Sequence, residues 1–242
     1  MALCLAAPLV SGQTADGGTI DDSDRWRFEF VPYIWFASLD GSIGLDPLPT
    51  VKISADRPEP FVNLDFAIAD TFTARKGRWT VLSDITFTKL AVDETVSSSH
   101  VEIDSALVWA SLAGGYALVD APCCRVELLA GARYTLLYND GESDGSVTAS
   151  TSSTEDWLDP IVGFNARTEL AERLSVGLLA NVGGFGVGSD LSYELLPRVS
   201  YAWNEIISLH AGYRELSLDF DSSDVEFDVR ESGWLFGVGF NF

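Results

Sequence analysis

The chain has 242 residues, of which 47% are hydrophobic and 12% aromatic, and its formal net charge at pH 7 is −21. This length suits one domain, and the acidic balance argues against nucleic acid as a partner, because phosphate binding needs clustered Lys and Arg. The apolar residues alternate with polar ones and never form the roughly 18-residue run of a membrane-spanning helix. Because backbone groups in lipid must be paired internally, the remaining membrane-spanning fold is a closed barrel.

The N-terminal residues have the apolar stretch and small residues of the second half of a secretory signal, without its basic start. We therefore predict a partial signal peptide at residues 1–15, a disordered segment at 16–24 and a barrel at 25–242. Once the signal is removed, Cys123 and Cys124 are the cysteines that remain. Adjacent cysteines form either a strained disulfide or a simple turn pair, and we favour the turn pair.

Ten segments with alternating apolar and polar residues follow along the chain, as expected for strands with one apolar face. An even number fits bacterial outer-membrane barrels, and a count of eight or twelve would follow if one segment had been split or merged. The predicted strands are Arg25–Ala37, Phe61–Ala74, Trp79–Leu90, Val101–Leu118, Arg125–Tyr138, Trp157–Leu170, Leu174–Gly183, Leu191–Trp203, Ile206–Phe220 and Val225–Phe242.

The connections between these segments alternate between short turns and longer polar loops. We predict long loops at Asp40–Pro60 and Asn139–Asp156, and a further polar loop at Asp93–Ser99. In a bacterial outer-membrane barrel the long loops face outside and the short turns face the periplasm. The predicted fold is therefore an all-β, antiparallel, up-and-down transmembrane barrel in the outer membrane, with both termini periplasmic.

The last segment has the clearest alternation. Its bulky residues share one face and are Trp234, Phe236, Val238, Phe240 and Phe242. The other face carries Gly233, Gly237, Gly239 and Asn241, which we expect to leave room for long charged side chains inside the barrel. The ending resembles the terminal-Phe signal that the barrel assembly machinery reads, and Phe240 and Phe242 are its predicted residues.

Charged residues of both signs fall on the inward face of the predicted strands. Such groups need partners when they are desolvated, so we predict an ion-paired network that fills the interior, with a narrow water-lined channel as the alternative. The inward set is Arg27, Glu29, Asp65, Asp84, Glu127, Arg133, Asp159, Asn165, Arg167, Glu169, Arg198, His210 and Arg214. Asp70 and Glu215 fall instead on the outward face, where a bulge or an interface position would explain them.

The sequence contains no recognisable pattern of catalytic residues. A nucleophile and base need a His near Ser, Asp or Glu, and the chain has only His100, near Ser97–Ser99, and His210, near Ser208. Neither lies in an enzyme signature. We therefore predict no catalytic residues, no cofactor and no metal site.

Three motifs in order, Trp157–Arg167, Gly183–Asp190 and Gly212–Arg214, resemble those of a largely uncharacterised family of Gram-negative outer-membrane β-barrel proteins. Pro32–Trp35 and Arg75–Trp79 are similar to that family as well. The family often has an acidic residue where this chain has Asn181. The resemblance implies the fold and the compartment but no reaction. The glycines of the second motif indicate a turn between strands, because the Lys and helix of a phosphate-binding loop are missing.

The sequence thus predicts an integral outer-membrane protein, either structural or a small passive pore. An outer-membrane hydrolase acting on lipid or peptide, and a soluble lipocalin-like binding barrel, are the alternatives. The expected partners are outer-membrane lipid, lipopolysaccharide and the barrel assembly machinery. Acidic residues would keep the loops solvated or bind lipopolysaccharide through divalent cations.

Overall fold

The computed structural model describes residues 25–53, 64–96, 99–145, 148–222 and 225–242. The predicted signal peptide at 1–15 and the segment at 16–24 lie outside these residues. Eleven strands make up the regular structure of the described part, and none of its residues form a helix that could cross a membrane. The strands are β1 Arg27–Leu45, β2 Val51–Ile53, β3 Leu64–Lys76, β4 Trp79–Val96, β5 Ser99–Ala121, β6 Cys124–Gly145, β7 Ala149–Ala171, β8 Leu174–Gly184, β9 Leu191–Ala202, β10 Ile207–Asp221 and β11 Val225–Asn241.

Ten of these strands close an antiparallel barrel, as predicted. Each pairs with its neighbour in the chain, β1 pairs with β3, and β11 returns to β1. The short strand β2 is an extra strand that pairs with residues 41–43 of β1 above the end of β3. Closure of this kind leaves no open edge along the wall, which is the condition for spanning lipid with strands.

The strands are staggered around the barrel. A path that begins at Glu29 in β1 and steps from each residue to the one directly opposite it in the next strand passes once around the barrel. It returns to β1 at Gly41, twelve residues further along. A stagger of this size tilts the strands strongly, by about 35–45° in barrels generally. With ten strands the bore is wider than that of an eight-strand barrel and far narrower than that of a porin.

Two predicted loops are wrong, because the strands continue through them. Residues 139–145 belong to β6 and residues 149–156 to β7, while β4 and β5 leave only residues 97–98 between them. Their composition is typical of loops, but the inward positions of β6 in this region, Asn139, Gly141 and Ser143, are buried. Gly141, for example, has no side chain and contacts Leu45 and Leu48. The predicted loop Asp40–Pro60 is corrected in part, since β1 runs to Leu45 and β2 follows; residues 54–60 lie outside the described part.

The outer surface of the barrel carries an apolar belt. On β11 and the residue after it, the outward and exposed side chains run from Trp234 to Phe242, which is nine residues. A tilted strand needs about 9–11 residues to cross a bilayer core. Aromatic residues lie towards the edges of the belt, among them Trp79, Trp203 and Phe36. An exposed apolar belt is the surface expected of a transmembrane barrel.

The two acidic residues predicted on the outward face are found there, without a bulge at either. Asp70 lies opposite Pro32 and Ile85. Glu215 accepts a hydrogen bond of 2.7 Å from the Tyr193 hydroxyl.

The barrel closes where β1 meets the C-terminal residues. Phe28 N–H donates to Phe242 O at 2.9 Å and Phe242 N–H donates to Phe28 O at 3.0 Å, and their rings stack 5.7 Å apart. On the inward face, Gly239 leaves space for His210, whose Nε2 would lie 2.5 Å from a side chain at that position. Of the other two glycines expected to make space for charges, Gly237 faces Tyr33 and Gly233 faces the backbone of Phe36 and Ala37.

Candidate functional site

The interior of the barrel is the candidate site, and it has three layers. Four tight turns and the described ends of the chain define the terminal end of the barrel, and the remaining connections define the loop end. A polar vestibule opens at the terminal end, a buried ion network occupies the middle, and an apolar plug fills the loop end. Each layer has its own residues and its own contacts.

Arg214 is the centre of the ion network. Its guanidinium lies 2.6 Å from Asp84 and 2.9 Å from Glu194, and all three side chains are at most 3% exposed. It also donates to the hydroxyl groups of Thr86, at 2.7 Å, and Tyr33. These partners come from β1, β4 and β9, while Arg214 lies in β10, so the network joins separate parts of the wall.

Asp84 is the most heavily bonded carboxylate of the network. Besides Arg214 it accepts hydrogen bonds from Tyr33 at 3.2 Å, Thr71 at 3.1 Å and Thr86 at 3.3 Å. A buried carboxylate is tolerated only where such partners replace its water. Asp84 therefore stays in the lumen as a bonded ion, with four side chains holding it.

Arg133 extends the network to the other side of the bore. It lies 3.3 Å from Glu194 and donates to Asn181 Oδ1 at 2.7 Å. Asn181 in turn donates to Glu194 at 2.7 Å. The Arg133 guanidinium also lies over the ring of Trp109, 4.6 Å from its centroid. Asn181 is thus a neutral bridge between two ions.

A second polar group lies nearer the terminal end. Glu127 is fully buried; it lies 2.5 Å from Arg125 and accepts hydrogen bonds from Thr80 and, at 3.1 Å, from Asn165. Arg198 donates to Asn165 at 3.5 Å. Arg27 and Glu169, which were predicted inside, line the open mouth of the bore at the terminal end, where their side chains are exposed because the strands finish there. Asp65 lies in β3, and its side chain is outside the described part.

His210 is held by two serines. Its Nδ1 lies 2.9 Å from the Ser200 hydroxyl and its Nε2 lies 2.8 Å from the Ser208 hydroxyl. Glu29 approaches the same Nε2 at 3.7 Å. A hydrolytic relay needs the carboxylate on one ring nitrogen and the nucleophile on the other. Here Glu29 is too far from Nε2 for the orienting hydrogen bond of such a relay, and Ser200, the serine on the other nitrogen, is buried.

The other histidine gives no relay either. His100 lies on the outward face of β5, 3.3 Å from Asp93, and both side chains are more than half exposed. Throughout the residues that the structure describes, no group of three His, Cys, Asp or Glu side chains could hold a metal ion. Cys123 and Cys124, at the turn between β5 and β6, are not joined by a disulfide.

The loop end of the interior is apolar, which corrects the prediction of a polar interior throughout. Trp157 of β7 stacks on Phe220 of β10, with ring centroids 3.9 Å apart. Leu48 and Val51, from the segment after β1, are buried with them. We call this layer the apolar plug; its other members are Leu39, Ile43, Leu45, Val101, Ile103, Leu107, Leu137, Leu218, Val225, Phe227 and Val229.

Asp159 links the ion network to the plug. It accepts hydrogen bonds from Ser189 N–H at 2.8 Å, from the Ser189 hydroxyl at 2.6 Å and from Trp157 Nε1 at 3.2 Å. Ser189 belongs to the glycine-rich turn between β8 and β9, where Phe185 has a φ of 55° and Gly184 and Gly186 have positive φ. Asp159 therefore fastens that turn over the barrel.

Replacing Asp159 with Ala is expected to release this turn, at a cost of about 2–3 kcal/mol, because a buried charged acceptor of three hydrogen bonds is lost. Chymotrypsin cleavage after Phe185, whose side chain is 55% exposed, would report the release. The matched control is Asp190→Ala, since Asp190 is exposed in the same turn. Equal cleavage of the two variants would show that Asp159 does not hold the turn.

Sequence reasoning missed several residues of this interior. Glu194 lies on the same face of β9 as Arg198, and Glu231 on the same face of β11 as Gly233, so alternation alone could have found both. Glu231 is buried and accepts one hydrogen bond, of 3.4 Å, from Thr88. The apolar plug gave a weaker signal, because its residues lie in segments whose composition is typical of loops.

Acidic residues collect at the loop end outside the plug. Asp219 lies beyond the apolar belt, with Asp228 opposite it in β11. Partial burial raises the pKa of Asp219 above its ordinary value, and the nearby carboxylates of Asp228 and Asp190 raise that pKa further. The rim of the loop end is therefore strongly negative.

No family model matches the chain, and no curated protein matches it. Solved structures of outer-membrane proteins are similar to it at low identity. Ail, the attachment invasion locus protein of Yersinia pestis, is 14% identical with a TM-score of 0.37, over 90% of this chain and 99% of that chain. The outer membrane protease OmpT of Escherichia coli is 9% identical with a TM-score of 0.47, over 91% and 97%.

Neisserial surface protein A is 17% identical with a TM-score of 0.36, over 90% of this chain and 97% of that chain. These values are too low for any residue role, activity or ligand to be carried over to this chain.

Proposed function

We propose that this chain is a structural protein of the outer membrane, a filled barrel that spans the bilayer and does not conduct. The apolar belt supports the membrane position, since lipid is the solvent that such a surface requires. The terminal end, with its tight turns, would then face the periplasm, and the acidic rim would face outside. Outer-membrane lipid, lipopolysaccharide and the assembly machinery would be its partners.

The observation that carries this proposal is the burial of the ion network across the whole bore. Side chains that line a water-filled channel stay in contact with water, yet Arg133 is 0% and Arg214 is 1% exposed. The apolar plug closes the same path again at the loop end. Charged groups packed in this way fill the bore, because they form ion pairs and hydrogen bonds with neighbouring side chains rather than with water.

Planar-bilayer recording tests this proposal. The protein, refolded in detergent and shown to be folded by heat-modifiable gel mobility, is expected to leave the membrane current at the lipid baseline in 1 M KCl. A general porin, inserted under the same conditions, is the positive control. Stable current steps that grow in proportion to KCl concentration would instead favour the small passive pore. A protein that stays monomeric and soluble without detergent would contradict the membrane position itself.

A further inference from the structure

The vestibule at the terminal end has a cation-rich lining in an otherwise acidic protein. It is an open cavity of about 500 Å³, and four of the ten residues that line it are arginines: Arg27, Arg75, Arg125 and Arg167. The whole chain has only 15 Lys and Arg residues and a net charge of −21. Asp120 and Glu169 are the acidic residues among those that line the cavity.

The arginines of the vestibule face each other in pairs. Arg27 in β1 lies directly opposite Arg75 in β3, and Arg125 in β6 lies directly opposite Arg167 in β7. Like charges in directly opposed positions destabilise a sheet. Across the bore, Arg167 is close enough to repel Arg75. A negative charge between two such pairs would offset the repulsion among their arginines.

The carboxylates of the barrel neutralise only part of the positive charge in the vestibule. Arg125 is paired with Asp120 at 2.9 Å and with Glu127 at 2.5 Å. Among the described residues, Arg27, Arg75 and Arg167 have no hydrogen-bonded partner and no carboxylate within 4 Å. The Nε atom of Arg75 is buried and has no hydrogen-bond partner there. Glu29 and Glu127 attract Arg75 only from a distance.

We propose that this vestibule binds an anion that carries two or more charges on several oxygen atoms, of the phosphoryl class. Guanidinium groups bind phosphate with two parallel hydrogen bonds, which makes Arg the side chain suited to such a ligand. A cavity of about 500 Å³ lies within the usual size of small-molecule sites. The site belongs to the open end of the barrel and is independent of whether the bore conducts.

Isothermal titration of the refolded protein in zwitterionic detergent, with inorganic pyrophosphate as the probe, tests the proposal. The double variant Arg75→Gln/Arg167→Gln is expected to bind at least about tenfold more weakly than the natural sequence, because two charge-assisted contacts are lost. Arg173→Gln/Arg230→Gln is the matched control, since it removes the same charge from exposed residues outside the cavity. Its affinity is expected to stay within about twofold.

Two results would overturn the proposal: no binding by the natural sequence, or equal weakening in both double variants. Gel mobility checks that every variant is folded. Arg27→Gln is a second test, because Arg27 is exposed at the rim and its loss leaves the packing unchanged; it is expected to weaken binding about threefold or more. Repeating the titration in bicelles with cardiolipin, whose headgroup carries two phosphates, separates the sources of the phosphoryl group. Weaker pyrophosphate binding there assigns the site to a lipid headgroup, and unchanged binding assigns it to a soluble anion.

Discussion

Replacing Arg214 with Met is expected to lower the free energy of unfolding by about 3–5 kcal/mol, because it leaves the buried carboxylate of Asp84 without its cation. Arg214 is 1% exposed and contacts both Asp84 and Glu194 within 3 Å. Removing one member of a buried ion pair costs more than removing both, since the remaining charge keeps its desolvation penalty. Urea unfolding in lipid vesicles, followed by tryptophan fluorescence, measures the loss.

Two companion variants make this result specific. Arg214→Met/Asp84→Asn removes both charges of the pair and leaves Glu194 paired with Arg133, so it is expected to recover more than half of the lost stability, because no unpaired ion remains. Arg230→Met removes an exposed arginine, 3.9 Å from Asp40, and is expected to cost at most about 1 kcal/mol. A double variant less stable than Arg214→Met alone would mean that Arg214 and Asp84 do not act as a charge-balanced pair.

Replacing Gly233 with Ala is the second change with a large expected effect, a loss of about 3 kcal/mol, because β11 would be forced away from β1. A side chain at this position would collide with the carbonyl oxygen of Phe36 and lie 2.7 Å from Ala37 Cα. Both are backbone atoms of the strand that closes the barrel, so they cannot move aside as a flexible side chain would. We expect a lower yield of the heat-modifiable folded band as well as lower stability.

Gly114→Ala is the control for this substitution. Gly114 also lies within a strand, but a side chain there would come no closer than 4.0 Å to Ala130 O. The two variants add the same methyl group, so the comparison isolates the steric contact at the closing pair. Stabilities that agree within about 0.5 kcal/mol would show that β11 can shift to accept a side chain at Gly233.

Much of the barrel followed from alternation alone. Bulky residues at every second position, as in Trp234 to Phe242, predict both the number of strands and the face that meets lipid. The same alternation placed Asp84, Arg133 and Arg214 inside, where the structure has them buried. Alternation predicts on which face of its strand each side chain lies. In a closed barrel one face is the interior and the other is the exterior, so this prediction places each side chain inside or outside.

Other features could not be predicted in this way. Residues 139–156 are rich in Gly, Ser, Thr and acid, and such composition is normally found in loops. Residues 139–145 and 149–156 nevertheless continue β6 and β7, and Leu45 and Leu48, distant in the chain, lie against the inward side of β6 at Gly141. The pairing of Arg214 with Asp84 rather than with another acid depends on the stagger of the strands, which alternation does not contain.

The central ion network also has a consequence for how the barrel forms. Arg214 and Asp84 are 130 residues apart in the chain, and Tyr33, which bonds to both, is the most N-terminal member. Contacts of such long sequence separation are slow to form, because much of the chain must be ordered first. The hairpin of β9 and β10 brings Glu194 to Arg214, whereas Asp84 and Tyr33 come from β4 and β1. We therefore expect Asp84 to stay without its cation in an unfinished sheet, until closure of the last strands on the first brings Arg214 to it.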